Sequence, residues 1–205
     1  MNNITRRDSE QPYICDALIF KEQQECARIK HELNNCPAYD FEKIKVITSK
    51  LLGKSNNAFI NPPFFCDYGK NIIAGNNLFI NYNCTILDVA KVYIGDNCFI
   101  GPNTGIYTVG HPIHPYLRNK GIEYGLSIKI GNNVWIGGNV VICPSVQIGD
   151  NCTIGAGSVV THDIEENSIA VGNPCRVIRK LTDEDKKFYY KNKEPDEELK
   201  EFLKI

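Results

Sequence analysis

Between residues 130 and 160 an aliphatic side chain returns at every sixth position: Ile130, Ile136, Ile142, Ile148, Ile154 and Val160. The residue after each is small or polar (Gly131, Gly137, Cys143, Gly149, Gly155, Thr161), and four places on stand Val134, Val140, Val146, Cys152, Ser158 and Ile164. An α-helix cannot use a period of six, because 3.6 residues per turn would smear these positions around its circumference. One straight strand fails as well, since Gly-Asn-Asn and Gly-Asp-Asn recur in the hexads and favour the turn conformations that end strands. The chain must turn a corner about every six residues, and three corners close a triangular coil of about 18. Stacked coils then place aliphatic upon aliphatic in a narrow interior.

The same grammar runs upstream at Ile94, Ile100 and Ile106, and more weakly at Ala74, Ile80 and Ile86, with a two-residue slip before Ile94. A mainly β solenoid is expected over residues 57–178. Cys66 and Cys84 stand one 18-residue coil apart and are expected to stack without a bond. Residues 21–34 and 40–52 lack the hexad and space apolar side chains at helical intervals, so residues 1–56 read as a helical cap over the open amino end. After residue 178 the spacing predicts a helical tail over 179–205, with helix starts at Thr182 and at Pro195–Asp196. The repeat also stops over 107–129, an insert about one coil long that holds His111, His114 and Glu123. His111, in GHPIHP, is a candidate general base, because an imidazole can take a hydroxyl proton near neutral pH.

Composition narrows the function. A chain of 205 residues with 42% hydrophobic and 23% charged residues buries a proper core. A net charge of −1 supplies no field for nucleic acid or an anionic membrane surface. No apolar run is long enough for a spanning helix, and the polar start carries no readable secretory signal, so a cytoplasmic location is expected. The nine cysteines are odd in number and form no C-x-x-C pair, which predicts reduced, packing thiols.

Seven stretches in one order carry a resemblance over nearly the whole chain: FFCDYGKNI, FINYNCTILD, IGDNCFIGPN, the GHPIHP loop, IGNNVWIGGNVVI, IGDNCTIGAGSVVT and VGNPCRVIRKL. On these the chain resembles the hexapeptide-repeat acyltransferases, and among them the maltose and galactoside O-acetyltransferase family. The resemblance implies a left-handed parallel β-helix, a homotrimer, and acetyl transfer from acetyl-CoA to a sugar hydroxyl without a metal. Carried over position by position, His111 falls on the catalytic histidine, and Glu123 lies where this branch often has a carboxylate that orients or assists it. Trp135 falls on the active-site tryptophan, and Gly138, Ala156, Thr161, His162, Arg176 and Arg179 fall on acetyl-CoA contacts. Asp16, Asp67 and Asn81 fall on acceptor-side positions. Val89 and Asp67 stand where the galactoside enzymes have an aspartate and a serine, which favours the maltose-type subgroup and leaves the acceptor open.

Physical chemistry supports these assignments unequally. Gly138 and Ala156 sit at hexad corners, where a small residue admits a thin pantetheine arm or simply fits the corner. Arg176 and Arg179 suit phosphate, because guanidinium makes forked, charge-assisted bonds. Trp135, the only tryptophan, holds a hexad position that faces outward, toward a ligand or a neighbouring subunit. The competing readings are an acetyltransferase acting on an antibiotic or amino-sugar, a non-catalytic β-helix binding protein, and a zinc enzyme on the same solenoid. The last needs three histidines on neighbouring coils, and the spacing of His111, His114 and His162 does not supply them.

Overall fold

The computed structural model describes residues 2–204; Met1 and Ile205, the outer ends of the expected cap and tail, lie outside the described residues. Short strands stack into the three faces of a prism. Face I holds Lys54–Asn56, Ile72–Asn76, Val92–Ile94, Ile128–Ile130 and Gln147–Ile148. Face II holds Phe59–Ile60, Phe79–Ile80, Phe99–Ile100, Trp135–Ile136, Thr153–Ile154 and Ser168–Val171, closed by the antiparallel strand Arg176–Lys180. Face III holds Phe64–Cys66, Cys84–Leu87, Gly105–Tyr107, Val141–Ile142 and Val159–Val160. The chain visits the faces in that order, coil after coil.

Coil-to-coil register puts Ile60, Ile80, Ile100, Ile136, Ile154 and Ala170 in one interior column on face II, none more than 1% exposed. Each such isoleucine is worth about 1.5–3 kcal/mol in burial, so the columns are the main source of cohesion. The coil length differs from expectation at the amino end. Successive corner asparagines are 20 residues apart from Asn57 to Asn77 and from Asn77 to Asn97, and 18 apart only from Asn133 to Asn151. The two additional residues enter at the corner between faces III and I, where the chain runs from Cys66 to Ile72 through a five-residue turn. Cys66 therefore stacks on Ile86 and Cys84 on Phe64, and the expected Cys66–Cys84 stack does not form. The Cys66 thiol instead meets that of Cys26 at 3.6 Å, and all nine cysteines are free.

The corner between faces I and II is built from Asn57, Asn77, Asn97, Asn133, Asn151 and Asn167, all left-handed with φ between 54° and 58°. Asparagine tolerates that region better than other non-glycine residues. Each side-chain amide also donates to the oxygen of the next, at 2.8–3.3 Å, so a polar ladder runs the length of one edge.

The expected helices of the cap are present as Ala17–Asn34 and Phe41–Leu51. The first starts earlier than the spacing predicts because Asp16 caps it, accepting from the Leu18 and Ile19 amides. Together they bury Cys26, Leu33, Ile44, Ile47 and Leu51 against the first coil. Asn34 exchanges two 2.9 Å bonds with the backbone of Phe64, and Lys30 donates to the Cys66 carbonyl at 2.6 Å. Side chains thereby satisfy an open strand edge that would otherwise template further pairing. An additional helix, Asn3–Asp8, and a strand, Tyr13–Ile14, precede them. At the other end the strand runs to Lys180, across the expected boundary at 179, and the tail's helical pieces are the 3₁₀ turn Asp183–Lys187 and the helix Glu197–Leu203.

Replacing Asn133 by Ala should lower the free energy of unfolding by about 1–2 kcal/mol through the left-handed backbone penalty alone. Asn133→Gly should recover that part and lose only the ladder bond. Urea melts of the two variants check this; equal losses would show that backbone conformation is not what selects asparagine here.

Candidate active site

The insert at the III–I corner is an ordered arm. Val109–Gly110 and Ile122–Gly125 pair as an antiparallel hairpin, with a short helix, Pro115–Arg118, at its far end. His114 caps that helix through Nδ1, which accepts from the Tyr116 amide at 3.2 Å, and Arg118 donates to the carbonyls of Pro112 and Ile113. The outer edge of the hairpin pairs with Tyr13–Ile14, in register Tyr13↔Glu123 and Ile14↔Ile122. The amino-terminal segment thus becomes a third strand of the arm.

His111 follows the first hairpin strand and is exposed, with Nδ1 3.3 Å from the Ile122 carbonyl. In the tautomer that donates from Nδ1 to this carbonyl, Nε2 keeps its lone pair free for an incoming proton. Glu123 is turned elsewhere: its carboxylate accepts from the buried Tyr13 hydroxyl at 2.8 Å. The histidine is oriented by a backbone carbonyl rather than by that carboxylate.

Below the arm the corner carries Asp67, half-buried. Burial pushes its carboxyl above the usual range, Lys30 opposes this, and the Glu123 charge raises it further. Cys15 lies beside the same groups; burial, then Glu123 and Asp16, push its thiol up. Asp16 is held low, first by the Asn3 amide at 3.0 Å and then by the helix amides that it caps. Glu123, Asp16 and Asp67 all act on the Cys15 thiol, so the three carboxylates gather at the foot of the arm that bears His111, though both oxygens of Asp16 are already engaged by Asn3 and by the helix it caps.

The remaining expected residues lie on other parts of the prism. Asn81 stands on the edge between faces II and III, where its side-chain oxygen accepts from the Tyr82 amide at 2.8 Å. Gly138 and Ala156 continue that edge on later coils, and a Cβ on Gly138 would come within 3.2 Å of the Pro102 carbonyl. Trp135 is 59% exposed on face II, between Phe99 and Thr153. Arg176 opens the last strand opposite Val171, at the top of this edge. Arg179 is not a free fork: it holds both oxygens of Asp185 at 2.6 and 2.8 Å. Thr161 and His162, bonded to each other at 2.9 Å, follow face III and so share the edge that carries the arm. One chain therefore splits the expected site between two edges, with face III between them.

Two buried residues that brace this region were not singled out by sequence reasoning. Tyr13 reaches Glu123 from 110 positions away, and nothing local marks it. Asp88, fully buried, accepts backbone N–H bonds from the turn that bears Asp67; burial pushes its carboxyl up to about 7. Its sequence signal was a charged residue directly after an interior strand, at the slip in the repeat. Among the described residues no group of three or more His, Cys, Asp or Glu side chains is placed to hold a metal ion. No helix among them is long and apolar enough to cross a membrane.

Residues 127–162 match the family model of the bacterial transferase hexapeptide (six repeats), and residues 91–113 match that of the hexapeptide repeat of succinyl-transferase. The galactoside O-acetyltransferase of Escherichia coli K12 is 46% identical over 165 residues, 80% of this chain and 81% of the relative. A maltose O-acetyltransferase structure from Clostridium difficile 630 is 48% identical, with a TM-score of 0.87 over 89% of this chain and 99% of that one. A galactoside acetyltransferase in complex with coenzyme A is 39% identical, with a TM-score of 0.92 over 96% of this chain and 99% of that one. Sequence, repeat and fold agree over almost the full length, and the chain is a left-handed parallel β-helix belonging to the hexapeptide-repeat acetyltransferases of the maltose and galactoside O-acetyltransferase family.

Proposed function

We propose that this protein transfers acetyl from acetyl-CoA to a hydroxyl of a sugar, with His111 as general base and no acetyl-enzyme. The observation that carries the reading is the orientation of His111: an exposed imidazole, steered by the Ile122 carbonyl, on the arm whose next residue, Glu123, acts on the Asp67 carboxyl. Carboxylates are hydrogen-bond acceptors, suited to a polyhydroxylated acceptor. The hydroxyl proton passes to Nε2 as the oxygen attacks the thioester carbon, and collapse of the tetrahedral adduct expels CoA thiolate, which takes up a proton. Among the described residues, no serine or cysteine is hydrogen-bonded to a histidine, and burial raises the Cys15 thiol, which lies beside Glu123 and Asp16. A protonated thiol is a poor nucleophile, so direct attack in a ternary complex is favoured.

CoA is assigned to the II–III edge, along Gly138, Ala156 and Trp135 toward Arg176, with Thr161 and His162 contributing from the other edge and Arg179 supporting the terminal strand through Asp185. Relatives support the donor, since a galactoside acetyltransferase has been solved in complex with coenzyme A. Because one chain splits the site between two edges, the working form is a homotrimer in which the arm of one copy faces the II–III edge of the next; closed symmetry of this kind is common. The same division accounts for the exposure of Trp135.

Three outcomes are expected. His111→Ala should lower kcat by roughly 10² to 10⁴-fold while CoA affinity stays near the parent's, because the base acts in the transition state. Near-parental turnover, or an acetyl-enzyme trapped without acceptor, would overturn the mechanism. Arg176→Ala should weaken CoA by about tenfold more than dephospho-CoA in calorimetry, as expected for one lost charge-assisted bond. Equal losses for the two ligands would remove the phosphate role. Sedimentation at assay concentration should give a trimer, and an active monomer would refute the shared site.

A further inference from the structure

Asp88 is 0% exposed, yet it bears a carboxylate that takes no part in the chemistry above. It follows the face III strand Cys84–Leu87 and points down into the turn of the coil beneath. One carboxylate oxygen accepts from the Asp67 amide at 3.0 Å and the Tyr68 amide at 2.9 Å; the other accepts from the Asn71 amide at 3.3 Å. Asn71 closes the loop by donating to the Asp88 carbonyl at 2.7 Å, and Lys91 holds the Asn71 oxygen at 2.7 Å. This turn contains the two residues by which the early coils exceed the later ones, and the equally long turn of the next coil, which begins beside Asp88, lies directly on it, with the Val92 amide donating to the Asn71 carbonyl at 2.9 Å.

The turn also carries one side of the proposed acceptor site. Asp67 projects from its first position. Tyr68, its second, packs under the Arg7 guanidinium at 4.6 Å and accepts from Gln23 at 3.3 Å. Arg7 in turn is 1% exposed and paired with Asp8 and Glu22, which fixes the segment that delivers Tyr13 to Glu123. From this geometry we infer that Asp88 is a positioning residue for the acceptor. It anchors the 67–71 turn through three backbone bonds, and so sets the distance between the Asp67 wall and the Glu123 wall. Touching no solvent, it acts only through the residues it holds. Of the residues assigned to CoA, Gly138, Ala156 and Arg176 lie across face III and Thr161 and His162 lie coils above, so none bonds to Asp88. The inference rests on the reading that Asp67 binds the acceptor.

The test is steady-state kinetics with acetyl-CoA and either maltose or isopropyl thiogalactoside, on the parent, Asp88→Asn, Asn71→Ala and Asp67→Ala. Asp88→Asn keeps the shape but turns one acceptor oxygen into a donor facing an amide N–H, which costs a buried bond. It should raise the acceptor KM by about tenfold and leave the acetyl-CoA KM within about twofold of the parent's. Asn71→Ala keeps the backbone bonds to the carboxylate but removes the side-chain bond to the Asp88 carbonyl that closes the same loop, and it should show the same split, so the inference stays testable if Asp88→Asn does not fold. A raised acceptor KM in Asp67→Ala with unchanged values in the two anchoring variants would overturn the inference alone. Equal rises in both KM values for those variants would reduce Asp88 to a general structural role and overturn it as well. An unchanged acceptor KM in Asp67→Ala would overturn the acceptor reading and the inference together.

Discussion

The register of coil upon coil is the constraint on which the rest of this molecule depends. Each strand is bonded to the strand above and below it, and each interior aliphatic sits on its equivalents, so no face can gain or lose a residue without breaking both systems. Two of the three corners obey the same rule, because their left-handed asparagines stack into ladders: Asn57 through Asn167 on one edge, and Asn83 with Asn103 on another. Irregularity is therefore driven to the remaining corner. There the coils carry two additional residues at Asp67–Asn71 and the whole inserted arm after Tyr107. The proposed base, His111, stands where the fold permits departures from its own period.

A site built at such a corner must be stiffened by other means. The amino-terminal segment adds a strand to the arm and brings in the Tyr13 hydroxyl. The buried Asp88 carboxylate takes three backbone amides of the longer turn below it. Crowding carboxylates under the arm has an electrostatic consequence, since Asp67 is raised by burial and by Glu123 while Lys30 opposes the rise. Such a cleft favours neutral hydroxyl-bearing ligands over anions, in keeping with the proposed acceptor.

The cap solves a different problem with similar chemistry. The first coil has no coil beneath it, and Asn34 and Lys30 reach from a helix to bond the strand backbone that would otherwise face water or another chain. Cys66 packs there against Cys26, one residue before Asp67. The cap and the cleft are thus joined through a single strand.

The sequence by itself determined the solenoid, because a six-residue period of aliphatic and corner residues is compatible with no helix and no single strand. It also marked the insert and His111, since a break in so regular a pattern is visible without a structure. What it could not fix was the count of residues per coil at the amino end. An 18-residue spacing paired Cys66 with Cys84, whereas tertiary stacking, which registers the strands and lets the corner bulge, set Cys66 on Ile86. Nor could it show that Asp185 occupies the Arg179 fork, or that Tyr13 and Glu123 meet across 110 positions. Those are contacts between segments that lack the repeat. Periodicity constrains only residues that repeat, so the walls of the cleft were decided by tertiary packing at the one corner where the period fails.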